Sequence, residues 1–160
     1  METWGIFWGF VIGFAFYDGN LDWNEGNGLN HTFRAFVRLS FIFLLSFYDY
    51  GFDAYYTAGA FKLACYRFSL FWIVFDPLVN IIYFRRDVFR FGDWRKIFYL
   101  GSTAFLDWVF RAAWSVQPSP EKMMNRRNEI GATITQAVFK VLFLIVFFQW
   151  YNFTSDTYLF

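Results

Sequence analysis

Residues 3–17 read TWGIFWGFVIGFAFY, an uncharged run in which Gly5, Gly9 and Gly13 recur at every fourth position. On an α-helix such positions lie one above the other, so the three glycines form a face without side chains. In water each would cost the helix about 1 kcal/mol relative to alanine, whereas in lipid the same face lets two backbones approach until dispersion holds them. The run reads as a membrane helix with a packing face, and the fold class follows as all-α, an integral membrane helical bundle. At about 22 Å it is short against a hydrocarbon core of about 30 Å, so it spans only with its flanks.

Composition supports the same solvent. Hydrophobic residues make up 58% of 160 positions and aromatics 28%, with 26 Phe, against about 45 to 50% apolar in an average soluble chain. Charged residues still reach 17% and interrupt the longest apolar stretches, so no run attains the roughly 18 uncharged residues of a simple membrane span. A net charge of +1 gives the whole chain no electrostatic grip on nucleic acid. One cysteine, Cys65, and one histidine, His31, exclude an intramolecular disulfide and leave too few ligands for a Cys/His metal cage. Met1-Glu2-Thr3 lacks the cationic start of a cleaved secretion signal, so the first run is expected to remain in the mature protein.

Along the chain, spans are predicted at 3–17, 32–48, 58–84 and 132–153 within one membrane domain, 1–160. Between the first two, DGNLDWNEGNGLN (Asp18–Asn30) has the composition of a solvated loop. The second span opens with His31, Arg34 and Arg38, whose stems can snorkel towards headgroup phosphates. The third contains Asp76-Pro77, and a proline without an N–H predicts a kink or break there. Residues 85–131 form a loop with an amphipathic surface helix near 102–115, Asp107 and Arg111 lying one turn apart. Its interfacial candidates are Arg85, Arg86, Arg90, Arg95, Lys96, Asp107 and Arg111. This loop holds nine bases against five acids, and the positive-inside rule places it in the cytoplasm, with the 49–54 turn outside.

An intramembrane polar cluster is predicted from His31, Arg34, Arg38, Asp76 and Asn80. The first three share one face of the second helix and the last two one face of the third. A carboxylate near mid-membrane must turn inward to a cation, and Arg34 and Arg38 are the expected partners of Asp76. The bland reading is an ion pair that docks two helices; the sharper one is a proton or ion path hinged at Pro77. No catalytic constellation is visible: His31 stands alone, and Gly101-Ser102-Thr103 reads as a helix start rather than a phosphate cradle. No cofactor and no metal are expected.

The order His31, Arg34, Arg38, then Phe75-Asp76-Pro77 with Asn80, then Tyr99-Leu100-Gly101, Thr103 and Asp107 resembles uncharacterised small multi-pass membrane proteins of tailed bacteriophages. The similar stretch covers about residues 31–110. The resemblance implies action in a bacterial inner membrane, such as blocking a rival phage, altering permeability or serving assembly, and it transfers no catalytic residue. The expected function is a non-enzymatic inner-membrane protein that self-associates through Gly5, Gly9 and Gly13 and forms a pore, alters permeability or senses a signal. An alternative is a membrane-anchored interaction protein that docks a partner through its basic cytoplasmic loop, and a third is a small membrane enzyme. The expected partners are the lipid bilayer, further copies of the chain and a protein at that loop, with nucleic acid excluded.

Overall fold

The structure, a computed structural model, describes residues 2–25, 31–51, 57–94, 97 and 126–153. The described residues are all-helical: α1 (Glu2–Glu25), α2 (His31–Tyr50), α3 (Thr57–Tyr83), α4 (Arg85–Phe91) and α5 (Arg126–Phe153). The long helix α3 is the centre, with α1, α2 and α5 each packed against it, while the backbones of α1 and α2 stay farther apart and meet through long side chains.

The contacts fix direction. Trp4 meets Tyr66 near the start of α1 and Gly19 meets Ile82 near its end, so α1 runs parallel to α3. Asp49 reaches Arg67 and Arg38 lies over Phe75, so α2 runs the opposite way. Tyr151 stacks on Tyr66 and Lys140 pairs with Asp76, which makes α5 antiparallel to α3 as well.

Helix α1 shows how sequence spacing produces this packing. Thr3, Phe7, Val11, Ala15 and Gly19, each four apart, form its buried face. Gly5, Gly9 and Gly13 are two residues out of step with that row, about 200° around the helix, and therefore point away from α3. A Cβ built on any of the three meets nothing within 4 Å. The glycine that the fold itself needs is Gly19, where a Cβ would sit 2.7 Å from Ile82 Cβ and 3.2 Å from the Val79 carbonyl oxygen.

Among the described residues, the main hydrophobic cluster is built from Phe7, Val11 and Ala15 of α1, Ile42 and Leu45 of α2, and Phe71, Phe75 and Ile82 of α3. Rings fill it, Phe10 stacking on Phe41 at 3.9 Å and Phe71 on Phe75 at 4.5 Å between centroids. Helix α5 joins from the other side of α3. Its inner row is Ala132, Gln136 and Lys140, again four apart and buried, and Trp72 meets Phe139 and Phe143 edge-on, each at 6.1 Å. Outside that row, Ile134, Val138, Leu142 and Val146 are each about half exposed.

Two helices, Thr57–Tyr83 and Ile130–Phe153, are long and apolar enough to cross a membrane, and only 28% and 17% of their most apolar windows are buried. Such exposure is unlike the core helix of a soluble protein, which hides its apolar residues. The other two long helices are less apolar for identifiable reasons: α1 carries Trp4, Trp8, Tyr17 and its glycines, and α2 carries Arg34, Arg38 and Asp49.

The boundaries differ from the sequence expectation in two places. Helix α1 does not stop at Tyr17 but continues to Glu25, and two of the polar residues that suggested a loop, Asp18 and Asn20, have partners there. Asp18 is buried against two arginines, and Asn20 Nδ2 donates to the Phe16 carbonyl at 2.8 Å. Helix α3 runs unbroken through Pro77 instead of dividing into two pieces. The expected surface helix near 102–115 lies outside the described residues.

These contacts predict opposite outcomes for two glycines of one helix. Gly19→Leu overpacks the α1–α3 contact and is expected to lower stability by about 1 to 3 kcal/mol, while Gly9→Ala, in open space, leaves it unchanged or raises it by up to about 1 kcal/mol. Unfolding in mild detergent followed by circular dichroism distinguishes them.

Candidate functional site

Charged side chains with little access to solvent gather at three places on α3, and each place pairs a cation with both a carboxylate and an aromatic ring. The deepest is Arg67 of α3, with no exposed surface. Its Nη2 donates to Asp49 Oδ2 at 2.6 Å and to Thr3 Oγ1 at 2.9 Å, and its Nη1 donates to Ser46 Oγ at 3.3 Å. Thr3 Oγ1 in turn donates to Asp49 Oδ2 at 2.8 Å, and Ser46 Oγ to the Ile42 carbonyl at 2.8 Å. The guanidinium carbon lies 4.8 Å from the Trp4 ring centroid, a cation–π contact that strengthens away from water. One residue thus ties α1, α2 and α3 together. Its Nε has no hydrogen-bond partner among the described residues.

At the opposite end of α1, Asp18 bridges two arginines of α2. Arg34 Nη1 approaches Asp18 Oδ1 at 3.0 Å, and Arg38 Nη2 approaches Asp18 Oδ2 at 3.1 Å, so each carboxylate oxygen accepts from a different guanidinium. The Asp18 side chain is 5% exposed and the arginines 11% and 12%. Arg38 also donates from Nε to the Arg34 carbonyl at 3.0 Å, and its Cζ lies 4.6 Å from the Phe75 ring centroid. The one-turn spacing of Arg34 and Arg38 is therefore used to clamp α1 to α2 over α3.

The third place joins α5 to α3. Lys140 forms an ion pair with Asp76, donates to the Trp72 carbonyl at 3.4 Å, and lies 5.0 Å from the Trp72 ring centroid. Pro77, the next residue after Asp76, supplies no N–H to the carbonyl one turn back. Asp76 is the most open of the three carboxylates, its side chain 34% exposed. One turn on, Asn80 Nδ2 donates to the Ile97 carbonyl at 2.9 Å and holds the chain after α4 against α3.

The residues singled out from sequence thus fall into separate groups. Arg34 and Arg38 face Asp18 rather than Asp76, and Asp76 takes Lys140 instead. The reason is rotational: Asp76 lies on the α5 side of α3, whereas its neighbour Phe75 lies on the α2 side beneath Arg38. The side chain of His31, and Arg95, Lys96, Asp107 and Arg111, lie outside the described residues. Arg85 Nη1 donates to Asn20 Oδ1 at 3.1 Å, while Arg86 and Arg90 are exposed. Four charged participants, Asp18, Asp49, Arg67 and Lys140, were absent from the predicted cluster. Arg67 carried a signal: a cation within an apolar stretch of helix, with no acid within one turn, has to draw a carboxylate from another helix.

Each group neutralises charge and docks helices, and none sets a nucleophile beside a base. Among the described residues no three or more His, Cys, Asp or Glu side chains are grouped to hold a metal ion. No family model matches the chain, and no curated protein and no solved structure is similar to it.

The Arg67–Asp49 pair predicts an asymmetry. Asp49→Asn strands a fully buried guanidinium that stays charged, with an expected cost of about 3 to 5 kcal/mol. Arg67→Met leaves Asp49, whose side chain is 24% exposed, near solvent and bonded to Thr3, so its cost is smaller. Chemical unfolding of the two variants in the same detergent checks the order.

Proposed function

We propose that this chain is a non-enzymatic, multi-pass protein of a bacterial inner membrane that associates with further copies of itself through the Gly5–Gly9–Gly13 face of α1. The observation that carries this reading is the direction of that face: it points away from α3, and a side chain built at any of the three positions meets nothing within 4 Å. A row of glycines is costly in a helix unless something packs close against it, and in lipid such a row is a frequent contact between helices.

The chain crosses the membrane four times in this reading. Support comes from the alternation of the long helices, α1 and α3 in one direction and α2 and α5 in the other, and from the inward pairing of their charges at separate levels of the bundle. Thr3, Asp49 and Arg67 gather at one end, and Asp18, Arg34, Asn20 and Arg85 at the other. The second end adjoins the basic segment that follows α3, so it faces the cytoplasm. Assembly around α1 produces the pore, permeability change or sensing device expected of a small phage-type membrane protein.

The test is the mass of the purified particle in lipid discs. The native chain is expected as an assembly of several copies, and Gly9→Ile, whose bulk projects into open space on the monomer, is expected to shift it to the monomer while helical content is retained. A monomer both before and after substitution removes self-association, and a co-purifying foreign protein lost on deleting residues 85–131 favours the partner-docking alternative.

A further inference from the structure

The backbone ladder of α3 passes almost directly into α4, Phe84 N–H donating to Asn80 O at 2.8 Å and Val88 N–H to Phe84 O at 2.9 Å. Helix α4 is thereby fixed at the end of a membrane-length helix. Val88 is its buried contact, 1% exposed, and Arg85 ties it to α1 through Asn20 at 3.1 Å. Three large aromatics remain outside: Phe89, Phe91 and Trp94 are 68%, 66% and 57% exposed. Gly92, with φ of 69°, takes the left-handed conformation that ends α4 and turns the chain back. That turn brings Trp94 edge-on to Phe89 with centroids 5.9 Å apart, forming one apolar wedge. Arg86 and Arg90, four apart and both exposed, flank it, while Asp87 and Asp93 are partly buried.

We infer that α4 and its Gly92 turn form an anionic-phospholipid binding surface, in which Phe89 and Trp94 enter the acyl boundary and Arg86 and Arg90 hold headgroup phosphates. Exposed aromatics beside arginines match the layered chemistry of the interface, apolar below and negatively charged above. Continuity with α3 sets the wedge at the depth where that layer begins. The surface selects the leaflet that is rich in acidic lipid and so fixes which way α3 is seated. This inference rests on the membrane reading above and adds the lipid class.

The test uses the full chain with Cys65→Ala and a polarity-sensitive fluorophore on F91C, in discs of phosphatidylcholine with increasing phosphatidylglycerol. The same fluorophore on V146C, a half-exposed site of α5, reports membrane insertion independently. The probe at 91 is expected to move to a less polar environment as phosphatidylglycerol rises. R86Q/R90Q is expected to weaken that response by roughly fivefold for each arginine, and R86K/R90K to retain most of it. A response indifferent to phosphatidylglycerol, or unchanged in R86Q/R90Q, or lost equally in R86K/R90K, overturns the lipid surface while a hydrocarbon-like signal at 146 leaves the membrane reading standing. A water-like signal at 146 overturns both.

Discussion

A cation buried among apolar helices has to be satisfied by the protein, because no water is there to do it, and this constraint organises the bundle. Arg67, Arg38 and Lys140 answer it in the same way, each with a carboxylate from a neighbouring helix and the face of an aromatic ring. The Coulomb attraction offsets desolvation only when geometry and further hydrogen bonds are good. Here those further bonds come from Thr3, Ser46 and backbone carbonyls. The ion pairs therefore choose which helix lies beside which, while the Phe-rich core supplies bulk contact.

Which parts of this were legible in the sequence follows from what periodicity measures. Spacing assigns residues to faces of one helix, so the glycine row on α1, the four long helical segments and the need of Asp76 for a cation were all readable. Spacing does not say which neighbour a face meets. Asp76 was expected to meet Arg34 and Arg38 and instead meets Lys140, because Phe75 and Asp76, about 100° apart around α3, turn to different neighbours. Composition failed at Asp18–Glu25 for a related reason. Asp18 and Asn20 resemble loop residues until their partners are counted, and Asp18 with two arginines is a helix residue.

The architecture divides labour among the helices. Helix α3 packs against each of the other long helices, and α1 and α2 close the core against it. Among the described residues, helix α5 is attached by the Lys140–Asp76 ion pair, a row of rings and the Tyr50–Tyr151 hydrogen bond, leaving most of its apolar surface outward. Helix α1 is two-sided, with a packed row inward and a bare glycine row outward. In hydrocarbon none of the outward apolar surface is a liability, whereas in water it would drive aggregation. A hydrocarbon surrounding is compatible with both the exposed rings and the inward-paired charges.

Topology in sealed vesicles tests that surrounding most directly. With Cys65→Ala as background, D53C lies in the segment between α2 and α3, and R90C lies on α4 beyond the other end of α3. A membrane-impermeant thiol reagent is predicted to reach one of these from outside and the other only after the vesicles are opened. Labelling of both from the same side, or recovery of the chain as a dissolved monomer without lipid or detergent, contradicts a bundle whose ion pairs stand in for water within a bilayer.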